Sequence, residues 1–256
     1  WGRLRESDPL RVELDARTSI TRQVEAMLTF AERGSVVFEN GNNLRVQAIY
    51  ALDDATEPLA PAKRAAAEAR ILTIAGFMES YLRPLFARGI GPFRWVALSG
   101  DARDLDRIDD EVAAMFPQRP EIAEWIALAR VHVPEQGLPA RSCWLGLGER
   151  SAIAVRVNEL VASGELSAPV LFSRDHLDSA SMTHPRIGTE GMRDDSDGVT
   201  DWPLLDAMVL AATGADLVAI HSGGGGYAGW MQSAGVSIVA DGALATAARL
   251  VRCLDG

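Results

Sequence analysis

Cysteine is scarce in this chain: its 256 residues carry only Cys143 and Cys253. Two thiols make no disulfide framework, so the expected setting is the reducing cytoplasm. Basic residues are in deficit, with 25 Lys and Arg against 35 Asp and Glu, a formal net charge of −10. Nucleic acids and anionic membrane surfaces attract the opposite balance, so neither is an expected partner. A small anionic ligand stays open, because a few arginines in a cleft override the global sign. No apolar run approaches the ~20 residues of a spanning helix, and no signal peptide is visible. Internal repeats and low-complexity tracts are also missing. The chain starts at Trp1 rather than methionine, and is expected to be a piece of something longer.

What is present is a globular composition, 48% hydrophobic, long enough for one large domain or two modest ones. Apolar residues Ile20, Val24, Met27, Leu28 and Ala31 recur at helical spacing, with Ser19 as the expected N-cap and Gly34 as the stop. A strand over 35–38, a turn over 39–43 and a helix to Ala51 follow. The proline-bearing stretch 52–62 reads as a linker. Helices are expected over 62–74, 77–89 (broken near Pro84), 104–116, 121–131, 153–164, 202–213 and 243–254. Strands are expected over 93–98, 168–173, 216–222 and 236–241. Continuous apolar strands such as "VLF" and "LVAI" point to a sheet covered on both faces. The expected class is therefore α/β, with mostly parallel sheet layers covered by helices.

Several stretches carry candidate chemistry. "HSGGGGYAG" (221–229) contains Gly-x-Gly-x-x-Gly at Gly224, Gly226 and Gly229. Only six residues separate Gly229 from Val236, and a parallel crossover with its helix needs ~10–12. The run is therefore no dinucleotide fingerprint; its glycines let backbone approach a ligand or another loop, or form a plain surface loop. "SRDHLDS" puts Asp175, His176 and Asp178 after a strand, the usual material of acid–base chemistry. Turn bonding by Asp and Ser is the plainer alternative, and no second ligand group supports a metal site. Cys143 follows the loop "QGLPAR", and a loop thiol beside Arg141 has a route to a lowered pKa. Local chemistry alone reads it as a small buried apolar residue, and Cys253 in the last helix likewise. Arg94 on a strand is a possible carboxylate clamp or a structural arginine. The charge run "DDEV" (109–112) reads as a solvated helix face.

Taken together, "RQVEAMLTFAERGSVVFENGNN", "YLRPLFARGIGPFRWVALSGD", "QGLPARSCWLGLGER", "NELVASGELSAPVLFSRDHLDS" and "SDGVTDWPLLDAM" resemble blocks of the urocanase (urocanate hydratase) family, in family order and over most of the chain. The resemblance implies a cytoplasmic, homodimeric lyase of histidine breakdown that holds NAD tightly. NAD there acts as an electrophile toward the substrate imidazole, without net redox, and water adds to give imidazolonepropionate. It implies that Cys143 sits beside the nicotinamide, that Asp175 and Asp178, with His176, move protons, and that Arg94 helps hold the substrate carboxylate. Asn40, Gly224 and above all Gly225 would lie against NAD. It also implies an organisation in which residues 1–72 are the tail of the Rossmann-like NAD domain with a linker, and 73–256 the C-terminal α/β part of the catalytic core. The partner is a small molecule, and the working form a homodimer of a longer chain.

The sequence departs from the family pattern where cofactor and substrate bind. Asn40 stands where the family has tyrosine, and Arg186-Ile187-Gly188-Thr189 where it has Asn-Arg-Glu-Thr. His221-Ser222 replaces a histidine pair, and the family's N-terminal region and glycine-rich fingerprint are not in this sequence. Three readings follow: a urocanate hydratase, a hydratase for a sulfur-substituted urocanate, or a non-catalytic fragment lacking most of the NAD pocket. A cysteine hydrolase ranks last, because no histidine relays to Cys143.

Overall fold

The computed structural model describes residues 2–39, 44–54, 58–86, 88–134, 136–174, 182–183, 201–224 and 227–255. Two units emerge, Trp1–Arg83 with Gly223–Trp230, and Pro84–Ser222 with Met231–Gly256. In the first, a short helix α1 (Gly2–Ser7) leads into the long α2 (Pro9–Glu32). Its N-cap is Asp8, whose carboxylate accepts the Arg11 N–H at 3.0 Å, and Pro9 fills a first-turn site where no N–H is needed. Ser19, the expected cap, therefore lies inside the helix. Strand β1 (Phe38–Glu39), helices α3 (Leu44–Tyr50) and α4 (Pro61–Ile71) and strand β2 (Ala75–Gly76) follow. Strands β1 and β2 pair in parallel. Val24, Leu28, Ala48, Ile71 and Ile74 form the core of this unit. The buried Glu39 carboxylate accepts the Arg45 backbone N–H at 2.9 Å and forms an ion pair with its guanidinium, Oε1 lying 2.9 Å from Nε. Arg45 also donates from Nη1 to the Ile74 carbonyl, so one ion pair ties the ends of both strands.

A π-helical turn (Met78–Leu82) and the four-residue α5 (Arg83–Phe86) precede the second unit's elements. These are β3 (Gly91–Ala97), α6 (Ala102–Met115), α7 (Pro120–His132), β4 (Ala140–Leu145), α8 (Glu149–Ser163), β5 (Val170–Arg174) and β6 (Met182–Thr183). Then come α9 (Asp201–Ala212), β7 (Leu217–Gly224), β8 (Tyr227–Ala240) and α10 (Leu244–Asp255). The sheet runs β4-β3-β5-β8-β6, and β7 also pairs with β8. Phe93, Trp95 and Ala97 of β3 alternate into a core shared with Phe172 and Ile238 and with apolar residues of α6, α7, α8 and α10. Phe93 and Phe172, stacked at 5.3 Å, and Trp95 are fully buried. Burying each such ring adds about 2–3 kcal/mol. No helix among the described residues is long and apolar enough to cross a membrane.

The mixed α/β class stands, but the mostly parallel sheet does not. The pairings β3–β4, β3–β5, β5–β8 and β6–β8 are all antiparallel, whereas the small β1–β2 pair is parallel. The misleading signal was the apolar runs. In β5 only Val170, Phe172 and Arg174 are buried, while Leu171 and Ser173 are half-buried on the other face. Continuous hydrophobicity there reflects one packed face and one partly covered face, a pattern that antiparallel sheets also allow. The stretch around Cys143, expected as a loop, is strand β4.

The run at 109–112 also differs from expectation. Asp109 is fully buried, and its carboxylate accepts the Trp95 indole N–H at 2.9 Å and the Arg141 Nε–H at 3.0 Å, with Arg141 Nη2 2.9 Å away in the same ion pair. Trp95 and Arg141 are direct cross-strand partners, so α6 is pinned to the β3–β4 pair at one point. Burial pushes the Asp109 carboxyl above its ordinary range, and Arg141 and Trp95 pull it back. Asp109→Ala would leave the Arg141 charge buried without its carboxylate. The expected loss is about 3–5 kcal/mol of unfolding free energy. Chemical denaturation measures it, and a loss under about 1 kcal/mol would remove this contact from the fold's main supports.

Candidate functional site

Strand β3 carries the candidate site because its alternation turns Arg94 away from the core. Phe93 and Trp95 point to the helices, and Arg94, between them, is exposed on the other face. Directly opposite cross-strand partners share a face. Arg94 pairs with Ser142 on β4 and Ser173 on β5, and Ser173 pairs with Ser237 on β8. The result is one row, Ser142–Arg94–Ser173–Ser237, across four adjacent strands. The Arg94 Nε–H donates to the Ser142 hydroxyl at 3.0 Å.

Cys143 lies on the opposite face. Its cross-strand partner is Phe93, it joins the buried core, and it is 4% exposed. The strand register therefore separates Cys143 and Arg94 by the thickness of the sheet. Burial pushes the Cys143 thiol up to about 11, outweighing the nearby Trp144 N–H and Arg119 charge. Arg141, expected to lower it, is instead committed to Asp109. At neutral pH the group is a thiol and not a thiolate.

Strand β4 is also the sheet's edge. A cavity of about 350 Å³ opens beside it, lined by Ile122, Trp125, Ser142, Cys143 and Trp144, with Arg119 and Glu121. Two outward carbonyls of β4 are already taken. The Trp125 indole N–H donates to Ser142 O at 2.7 Å, and Arg119 Nη2 donates to Trp144 O at 3.3 Å. Arg119 is itself fixed by ion pairs to Glu121 and Glu149. Capping of this kind keeps an edge strand from pairing with another chain.

Strand β5 ends at Arg174, which forms a buried ion pair with Asp206 of α9 at 2.8 Å. Asp175, His176 and Asp178 come next in sequence and lie outside the described residues, as do Asn40 and Gly225. Gly224 is the last residue of β7. In the first unit, Phe38, Phe77 and Tyr81 cluster with ring centroids 5.1 to 5.8 Å apart, and Phe38 and Tyr81 are 42% and 44% exposed.

Sequence reasoning missed Ser142 and Ser173 as neighbours of Arg94, and Asp109 as a buried carboxylate. The alternation in "ARSCWL" was the available signal for β4: Arg141, Cys143 and Leu145 face inward, and Ala140, Ser142 and Trp144 outward.

Comparison with known families gives two matches that together cover nearly the whole chain. Residues 1–81 match the model described as the urocanase Rossmann-like domain, and residues 84–256 the urocanase C-terminal domain.

The Cys143 environment makes a prediction that does not depend on activity. Iodoacetamide at pH 7.5 should alkylate Cys143 in the folded chain at least ~10-fold more slowly than in the unfolded chain. The folded pKa is raised from the ordinary thiol value of 9.0 to about 11. This group's contribution to stability is thus complete below the unfolded value and is lost as pH climbs between the two. Mass-spectrometric alkylation rates check this, and fast labelling at neutral pH would show an activated thiolate instead.

Proposed function

The chain belongs to the urocanase family, and on that basis we propose that it works as a hydratase, adding water to urocanate or a close analogue to give an imidazolonepropionate-type product. The observation that carries the reading is Arg94. It is an exposed guanidinium on a rigid central strand, flanked in register by hydroxyls, within the segment matched by the C-terminal urocanase domain. A guanidinium so held suits the carboxylate of an imidazole acrylate.

NAD is the cofactor this reading calls for. The residues present fit it in one respect: Phe38, Phe77 and Tyr81 offer a flat, half-exposed aromatic surface in the segment matched by the Rossmann-like model. Phe38 and Tyr81 would stack on one of its rings, with Asn40, Gly224 and Gly225 against the rest. When bound, it supplies an electrophilic ring that draws electron density from the substrate imidazole.

The chain's own residues do the remaining work. Arg94 binds and orients the substrate acid. Asp175 and Asp178, with His176, deliver and remove protons, and they follow directly on a strand whose last residue, Arg174, is anchored to Asp206. Cys143, a neutral thiol buried on the opposite face of the sheet from Arg94, enters this scheme as a packing residue and not as a nucleophile. A second reading, a ring-substituted and sulfur-bearing urocanate as substrate, is favoured by Asn40 and Ile187, which depart from the family pattern.

Steady-state assay of the purified chain with NAD added, following loss of the acrylate chromophore, tests the proposal. Turnover of urocanate is expected, with Arg94→Ala raising KM by ~10-fold or more. Turnover of a thio-substituted urocanate without turnover of urocanate would select the second reading. No turnover of either would sink both.

A further inference from the structure

The edge of β4 carries chemistry that the hydratase reading does not use. The cavity of about 350 Å³ beside it is lined by Trp125 and Trp144 and by the buried Ile122 and Cys143. That volume lies at the small end of the range for ligand pockets. Trp125 is fixed in place, because its indole N–H donates to the Ser142 carbonyl at 2.7 Å. Such a bond lies in the plane of the ring, so it engages an edge and neither face. The residue is still 43% exposed, so a large apolar ring is held at the cavity without being covered.

The charges at the cavity have a definite sign. Arg119 pairs with Glu121 at 2.8 Å through Nε and with Glu149 through Nη1. One cation thus meets two carboxylates, a surplus of one negative charge. The Glu121 side chain is 61% exposed and that of Arg119 only 19%, so an entering ion meets the carboxylate before the guanidinium. The hydrogen bond from Arg119 holds the Glu121 carboxyl below its ordinary range, and it is ionised at neutral pH.

We propose that this cavity is a binding site for a small organic cation of the quaternary-ammonium kind, held against the ring of Trp125 with Glu121 as its counter-charge. A methylated ammonium donates no hydrogen bond and spreads its charge over its methyl groups. It therefore loses little on leaving water and is attracted to the negative face of an indole. A bare metal ion needs several oxygen ligands, which this apolar lining does not supply. An anion is repelled at the exposed carboxylate. The thiol of Cys143 is neutral at pH 7 and adds soft, polarizable surface without a competing charge. The site stands apart from the reading of Arg94, and its test needs no turnover.

NMR titration of the isotope-labelled full chain with choline chloride tests it, at an ionic strength held constant with sodium chloride. The Trp125 indole N–H should shift saturably, with a Kd of ~1–10 mM. The neutral isostere of choline, an alcohol in which a tert-butyl group replaces the trimethylammonium group, should bind at least ~10-fold more weakly. Glu121→Gln, at an exposed position, should weaken choline ~3-fold and leave the alcohol unchanged. Trp125→Leu should remove the choline-induced shift at the Ile122 amide. Should that variant fail to fold, the choline–alcohol comparison and Glu121→Gln decide the matter alone. No saturable shift up to ~50 mM choline overturns the proposal. Equal affinity for choline and the alcohol also overturns it, since the cavity then binds apolar bulk and not charge. Unchanged choline binding in Glu121→Gln, or in a folded Trp125→Leu, does the same.

Discussion

The alternation of one strand fixes the second unit. In β3 the sequence Phe93-Arg94-Trp95 sends two large rings into the core and the cation between them to the other face. A one-residue slip of register would bury Arg94 and expose both rings, so no neighbouring alignment competes. Because β3 pairs with β4 on one side and β5 on the other, its register dictates theirs. The serines reach Arg94, and Cys143 reaches Phe93, as consequences of that single constraint.

The buried carboxylate of Asp109 makes the same constraint specific. A purely apolar interface between α6 and the sheet would tolerate sliding, since apolar contacts are not directional. Asp109 instead requires the Trp95 indole and the Arg141 guanidinium at defined positions. Both donors sit on the sheet's inner face, directly opposite each other. Burying the charge is costly, and the cost is offset only when helix and both strands are in register together. Arg130, 3.6 Å from the same carboxylate, adds a further cation from α7.

Helices were legible in the sequence because their 3.6-residue period spans many positions. The spans around α6, α7, α8 and α10 differ from expectation by a few residues at their ends. The start of α2 was not legible, because its polar first half has no packed face to create a pattern and its true cap is Asp8. Sheet direction was not legible either, since a strand's residues record which face is buried and not which way its neighbour runs. Strand β4 hid behind a glycine- and proline-marked approach and a cysteine. Asp109 hid inside a run of charges, where only its helical phase, three and four residues from Val112 and Leu105, marks it as inward-facing. Arg94 was legible as a cation on a strand; its cross-strand serines were not, because they are 48 and 79 residues away in sequence.

Arg94 and Arg141 show how one sheet handles two cations differently. They occupy neighbouring rungs of the β3–β4 ladder and face opposite ways. Arg141 is 5% exposed and is closed by a carboxylate, so its charge is spent on holding the fold. Arg94 has serines at both cross-strand positions. Replacing those serines by carboxylates would hold the side chain more firmly and would also quench its field at an exposed surface. A hydroxyl fixes direction at little electrostatic cost. In that comparison, the difference between the two arginines lies less in the side chain than in what the register places opposite it.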